Sequence, residues 1–160
     1  MAKQTKRAAD VEKLRVNEKK WSKTLMDAGW TVIPSIIIEK QASFGLDALD
    51  MNIILHLVQY WWLPENLPHP SVGTIATAVG VRPRTVQKRI KALEELGLMK
   101  REERRYTKNG STTNLYSFEG LIEAAKPFAK EKQAEKAKTQ EAKKARIARK
   151  KPRLVVDNET

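Results

Sequence analysis

Residues 74–90 read TIATAVGVRPRTVQKRI, and the spacing of small and apolar residues in this stretch decides the fold. Ser71 begins a short helix over residues 71–79, because its hydroxyl can accept from the free N–H groups of a helix start. That helix carries Val72, Ile75, Ala76 and Val79. Gly80 stands where a helix ends in a left-handed residue, a conformation open to glycine because it has no Cβ. Pro83 suits the first turn of a second helix. Val86, Ile90, Leu93 and Leu96 then recur at helical spacing until Gly97 stops the pattern. Ala76 is small enough for two helices to cross closely, Val81 fills the turn, and Val86 and Ile90 anchor the second helix to a core. The outward face of that helix is Arg84, Gln87, Lys88 and Lys91. Side chains of this length and charge can reach base edges or phosphates in a major groove.

Toward the C-terminus, residues 98–103 and 112–118 are candidates for two short strands. Asn109-Gly110 between them is a tight-hairpin dipeptide. Arg101, Arg104, Arg105 and Lys108 cluster beside and within this hairpin, with Lys100 next to them. Glu119 begins a last helix that Pro127 is expected to bend or restart. Past Phe128 the apolar residues are nearly all Ala up to Lys151, so little remains to bury. Lys126 to Arg153 holds 12 basic and 3 acidic residues, which reads as a solubilising tail or as a non-specific contact to phosphates.

Toward the N-terminus, residues 47–62 read as a central helix, with Leu49, Ile53, Leu57 and Tyr60 on one face and Ile54, Leu55, Val58, Trp61 and Trp62 widening it. Trp61 and Trp62 are expected at the core and the domain edge, and His56 as a satisfied core histidine. Residues 31–38 are rich in Val and Ile and read as a short strand or an extended arm. Residues 8–28 read as one helix with a thin stripe of Val11, Leu14, Trp21 and Leu25. The stripe could pair two chains; packing on its own domain is the favoured expectation.

Composition bounds the chemistry. The 160 residues include 31 Lys and Arg against 19 Asp and Glu, a formal charge of +12. The excess is uneven: residues 30–69 are net acidic and the most apolar, while the flanking blocks are basic. A polyanionic partner follows, nucleic acid before anionic membrane. With no cysteine, disulfides, thiolate metal sites and a Cys nucleophile are excluded. His56 and His69 lack a carboxylate pattern around them, so no metal site is expected. Glu94/Glu95 and Glu102/Glu103 are adjacent pairs that diverge, so no catalytic carboxylate pair, and no enzyme, is expected. No cofactor, small-molecule ligand or membrane contact is inferred. Residues 1–10 lack the apolar run of a secretory signal and residues 51–63 are too short to span a bilayer, which reads as a cytoplasmic protein.

At the level of whole motifs, the proline-Ser71 start, IATAVGV (75–81), RTVQKRIKALEELGLMKREE (84–103) and TNLYSFEGLI (113–122) resemble bacterial and phage winged helix-turn-helix DNA-binding proteins. The resemblance runs from about Ala48 to Leu121. It implies a mainly α fold with a small β wing and flanking N- and C-terminal helices. It further implies a recognition helix at 83–96, a wing near 104–112, Asn114 in a strand, and Tyr116 and Phe118 facing the core. Double-stranded DNA is then the partner, with a homodimer open. Arg82, Arg84, Thr85, Gln87, Lys88 and Lys91 are candidate contacts from the helix, and Arg101, Arg104, Arg105 and Lys108 from the wing. Two departures stand out. Arg82 replaces a usual capping residue, and Gly73 sits inside the first motif helix at a cost of about 1 kcal/mol relative to Ala. The expected organisation is an N-terminal basic helix over 1–29, the winged domain over 30–125, and a basic helical or disordered tail over 126–160. The function expected first is a sequence-specific transcriptional regulator. A replication initiation or maintenance factor of a plasmid or phage, and a non-catalytic assembly scaffold, remain alternatives.

Overall fold

The computed structural model describes residues 15–107 and 110–149, with the backbone alone at 105–107, 110 and 111. Helix α1 occupies residues 15–21 and α2 Lys23–Asp27. Helix α3 is Ser35–Glu39, followed by a 3-10 turn at Gln41–Phe44. Helices α4 (Ala48–Val58), α5 (Val72–Val79) and α6 (Pro83–Glu95) form the centre. Strand β1 (Lys100–Glu102) pairs antiparallel with β4 (Leu115–Ser117), with Arg101 opposite Tyr116. Further out, β2 (Arg105–Thr107) pairs with β3 (Gly110–Ser111) across an irregular register. Helix α7 runs Glu119–Arg149.

The core forms where α4, α5 and α6 meet. Ile53, Ile54 and Leu57 of α4, Ile75 and Ala76 of α5, and Val86, Ile90 and Leu93 of α6 are all buried. Removing each large aliphatic side chain from water contributes about 1.5–3 kcal/mol. Tyr116, Phe118 and Leu121 close the core from the wing side. The Tyr116 N–H donates to the Pro68 carbonyl at 2.9 Å, which ties β4 to the proline-rich loop after α4. Trp61 lies against Phe118 with ring centroids 6.0 Å apart.

The helix starts explain themselves locally. Asp47 accepts from the N–H groups of Leu49 and Asp50 at 2.9 Å each, and Asp50 returns the bond by accepting from the Asp47 N–H at 3.0 Å. This reciprocal box satisfies donors that a helix start otherwise leaves free. Arg89 of α6 reaches both carboxylates, 2.7 Å from Asp47 Oδ2 and 3.6 Å from Asp50 Oδ1. The backbone hydrogen bond from Asp50, helped by Arg89, holds the Asp47 carboxyl below its usual range, against some desolvation. Burial pushes Asp50 up, and its Oδ1 accepts no hydrogen bond.

Asp47→Ala is expected to lower stability by about 0.5–2 kcal/mol, the usual worth of an N-cap, and to leave Arg89 without its nearer partner. A carboxyl whose folded value is depressed contributes stability above its ordinary value and loses it as pH falls through the lowered one. Asp50 acts in the opposite sense, losing stability as pH rises past its ordinary value. Urea unfolding of wild type and Asp47→Ala at about pH 7 and about pH 3 should therefore show their gap narrowing in acid.

Several expectations change in the structure. The helix expected over residues 8–28 breaks, within its described part, at Ser22. This residue takes a positive φ of 78° while its hydroxyl accepts from the Leu25 N–H at 3.4 Å. Trp21 and Leu25 are 57% and 58% exposed, so they do not pack on their own domain; Val11 and Leu14 lie outside the described residues. Residues 31–34 lie in no helix or strand, and Ser35–Glu39 is helical rather than a strand. Pro34 leads into that helix with an extended ψ, and Ile37 alone of the three isoleucines is buried. The helix expected to reach residue 62 stops at Val58, where Tyr60 and Trp61 N–H groups turn back onto Leu57 and Val58 carbonyls. Trp62 is left exposed, Trp61 is half-buried, and His56 is half-buried beside Gln59 rather than in the core. Asn114 lies just before β4 rather than in it. Pro127 lies inside α7 without ending it. The helix is held on both sides of it, by Ala125 in the core and by Phe128 edge-on to Phe44 at 5.4 Å.

Candidate nucleic-acid interface

The exposed face of α6 is built from its buried one. Val86, Ile90 and Leu93 fix the rotation of the helix about its axis. Arg84, Gln87, Lys88 and Lys91 then fall at three- and four-residue steps on the opposite side, all exposed. The close α5–α6 crossing sets the tilt. Ala76 is 2% exposed, and its carbonyl accepts from both Gly80 and Val81 at 3.0 Å. Gly80 closes the turn at φ 77°, and Val81 packs half-buried on the core. Ser71 caps α5 through its hydroxyl, 3.0 Å from the Thr74 N–H. At Gly73 an added Cβ would meet only the Ser71 hydroxyl at 3.6 Å, so this glycine has no packing cause.

Arg82 is the N-cap of α6, exposed, and its side chain makes no capping hydrogen bond. Thr85 is half-buried in the first turn. Among the described residues, Arg82, Arg84 and Lys88 have no ion-pair partner. Lys91 has an exposed one, Glu95 at 3.6 Å, of the kind worth only about 0.3–0.5 kcal/mol. The uncompensated charge on this face is therefore concentrated at the N-terminal half of α6.

The wing residues are deployed differently. Arg101 on β1 pairs with Glu94 of α6 at 3.3 Å, and its backbone N–H donates to the same carboxylate at 3.2 Å. Arg104 is half-buried and donates to the Thr113 carbonyl at 3.1 Å and the Thr113 hydroxyl at 3.2 Å. Both thus brace the hairpin, one onto α6 and one across its own base. Lys100 pairs with Glu102 at 3.2 Å. Arg105 lies on β2, where only the backbone is described, and Lys108 and Asn109 lie outside the described residues. A cleft of about 500 Å³ separates the start of α5 from the wing, lined by Ser71, Val72, Arg104, Thr113 and Tyr116 among others. Burial pushes the Tyr116 hydroxyl above its usual value.

Sequence reasoning missed Arg89. It shares α6 and a charge with Arg84 and Lys88, yet it turns back to Asp47 and Asp50. The signal available was the Asp47/Asp50 pair at a helix start, three residues apart. Among the described residues no group of three or more His, Asp or Glu could hold a metal ion, and no helix is long and apolar enough to cross a membrane.

A helix bundle centred on a tight helical turn, followed by a two-stranded wing, defines a winged helix-turn-helix domain. Residues 45–99 match the model of a helix-turn-helix domain family. A solved structure to which the chain is similar is a possible transcriptional regulator from Methanosarcina mazei Go1. It is 17% identical over 69% of this chain and 85% of that chain, with a TM-score of 0.41. No curated protein matches the chain.

Proposed function

We propose that the chain is a sequence-specific double-stranded DNA-binding protein that regulates transcription. One observation carries this reading. A helix locked by Val86, Ile90 and Leu93 presents Arg84, Gln87 and Lys88 outward, with no internal partner for either cation among the described residues. A helix about 10–12 Å across fits the major groove, and Arg and Gln can each pair bidentately with base edges there. Arg84 and Gln87 read bases; Lys88 and Lys91 reach bases or phosphates; Arg82 and Thr85 meet the backbone beside them. The wing lies along the flanking backbone. Because Arg101 and Arg104 already hold the hairpin, their share is to shape it, and Arg105 and Lys108 supply its direct phosphate contacts.

Selection of bound sequences from random duplex DNA at two salt concentrations tests this. Recovery of a short motif that persists at the higher salt is expected. Tight binding with a steep salt slope and no recovered motif would refute sequence reading. Failure to bind any duplex at low salt would leave the helix-turn-helix as a protein-docking module instead.

A further inference from the structure

Helix α7 changes the chemistry of one face without changing the face. Leu121 and Ala125 are buried in the core, Phe128 packs on Phe44, and Lys132 pairs with Glu39 of α3. Steps of four, three and four residues keep these side chains on one side of a helix with 3.6 residues per turn. Lys136 continues the row and adds to the field that, with the Lys132 hydrogen bond first, holds the Glu39 carboxyl below its usual range. Thr139, Lys143 and Arg146 follow at the same steps, all exposed. The row is apolar over the core and cationic beyond it. Elsewhere on the helix, Glu135, Lys138, Glu141 and Lys144 alternate in sign at three-residue steps. Lys136, Lys143 and Arg146 have no ion-pair partner among the described residues.

We propose that this cationic row is a second phosphate-binding surface, gripping duplex DNA outside the segment read by α6. The proposal rests on the DNA-binding reading above. The chemistry of the row selects the occupant. From 129 to 149 the helix holds eight cations, three acids and one large apolar side chain, Ile147. It therefore has no apolar face to bury in a protein groove or in a lipid interface, where an amphipathic helix needs one. A regular polyanion requires charge alone. Those 21 residues span about 31 Å, the length of about nine base pairs.

The test is the full chain with K136Q/K143Q/R146Q, since Gln keeps helix propensity and none of these residues supports the core. Binding to a 40-base-pair duplex carrying the selected motif is titrated at several salt concentrations, and an equal thermal melt confirms the fold. The variant's plot of log affinity against log salt should be shallower by about 2.7 units, about 0.9 for each phosphate that the variant no longer neutralises. Wild type should then lose about sixfold more affinity than the variant on each doubling of salt. The motif recovered by selection should be the same for both proteins. Equal slopes with binding retained would overturn this inference and leave the DNA-binding reading standing. Absence of duplex binding by the wild-type chain would overturn both. Equal slopes, together with loss in the variant of wild-type binding to phosphatidylserine vesicles, would reassign the row to a membrane surface.

Discussion

Arg84→Ala together with Lys88→Ala is expected to weaken binding to the selected duplex by about a hundredfold or more, with the fold intact. A bidentate base contact is worth about 1–3 kcal/mol and a phosphate contact somewhat less. Both side chains are exposed on α6 and neither has an internal partner among the described residues, so truncation removes no intramolecular bond. Alanine also favours the helix slightly over both. The two singles should differ in kind. Arg84→Ala is expected to relax the recovered motif at one position, whereas Lys88→Ala lowers affinity more evenly across sequences if it meets phosphate. Arg89→Ala is the control on the same helix. It breaks the link to Asp47 and Asp50, so its expected signature is a lower unfolding midpoint with the motif unchanged. Gel-shift titrations beside urea melts separate these outcomes. Unchanged affinity in both the Arg84 and Lys88 variants would remove α6 as the reading helix.

The contrast between Arg84 and Arg89 shows where sequence reading stops. Ala76, Gly80, Val86 and Ile90 specify the two helices and the turn through short-range rules: close crossing, a left-handed residue, and a 3.6-residue apolar period. Those rules act within about fifteen residues and are legible as letters. The same period puts Arg84 opposite the buried face and Arg89 on its flank, three residues after Val86 and four before Leu93; that Arg89 there meets Asp47, some forty residues away in sequence, is what no periodicity carries. The wing gives the same lesson. Its cations are visible as a cluster, yet Arg101 is held by Glu94 and Arg104 by Thr113. The Ile36–Ile38 run misleads for a related reason. β-branched residues favour strands when a neighbouring strand exists to pair with. Among the described residues no strand pairs with this run, and Ile37 finds its burial from a helical turn. Trp21 and Leu25 have the spacing of a packing stripe, and spacing alone does not supply a surface to pack on.

Gly120→Ala should be among the most damaging single changes in the chain, although helix propensity favours the opposite result. Gly120 is the second residue of α7, and replacing a helical glycine by alanine ordinarily gains up to about 1 kcal/mol. In this fold the start of α7 lies directly on the turn after α6. The Leu121 N–H donates to the Leu98 carbonyl at 2.9 Å, drawing the two backbones together. A Cβ on Gly120 would sit 1.9 Å from the Gly97 carbonyl oxygen and 3.0 Å from its carbon. No flexible side chain can yield there, since both obstacles are backbone. Gly97 is itself pinned in the left-handed region at φ 69°, because it ends α6. The substitution must lift α7 off the turn, breaking that hydrogen bond and loosening Leu121 and Phe118 in the core. A cost of at least about 1–3 kcal/mol is expected, as for other overpacked sites. For a chain of this size that amounts to a drop of roughly 2–4 °C in melting temperature per kcal/mol. Gly97→Ala provides the comparison. Its Cβ would meet nothing within 4 Å, so its cost is conformational alone, about 1–2 kcal/mol. Urea midpoints should therefore rank wild type above Gly97→Ala, and Gly97→Ala above Gly120→Ala. A Gly120→Ala protein as stable as wild type would show that α7 does not begin against the α6 turn, and the cationic row proposed on its distal half would lose its placement with it.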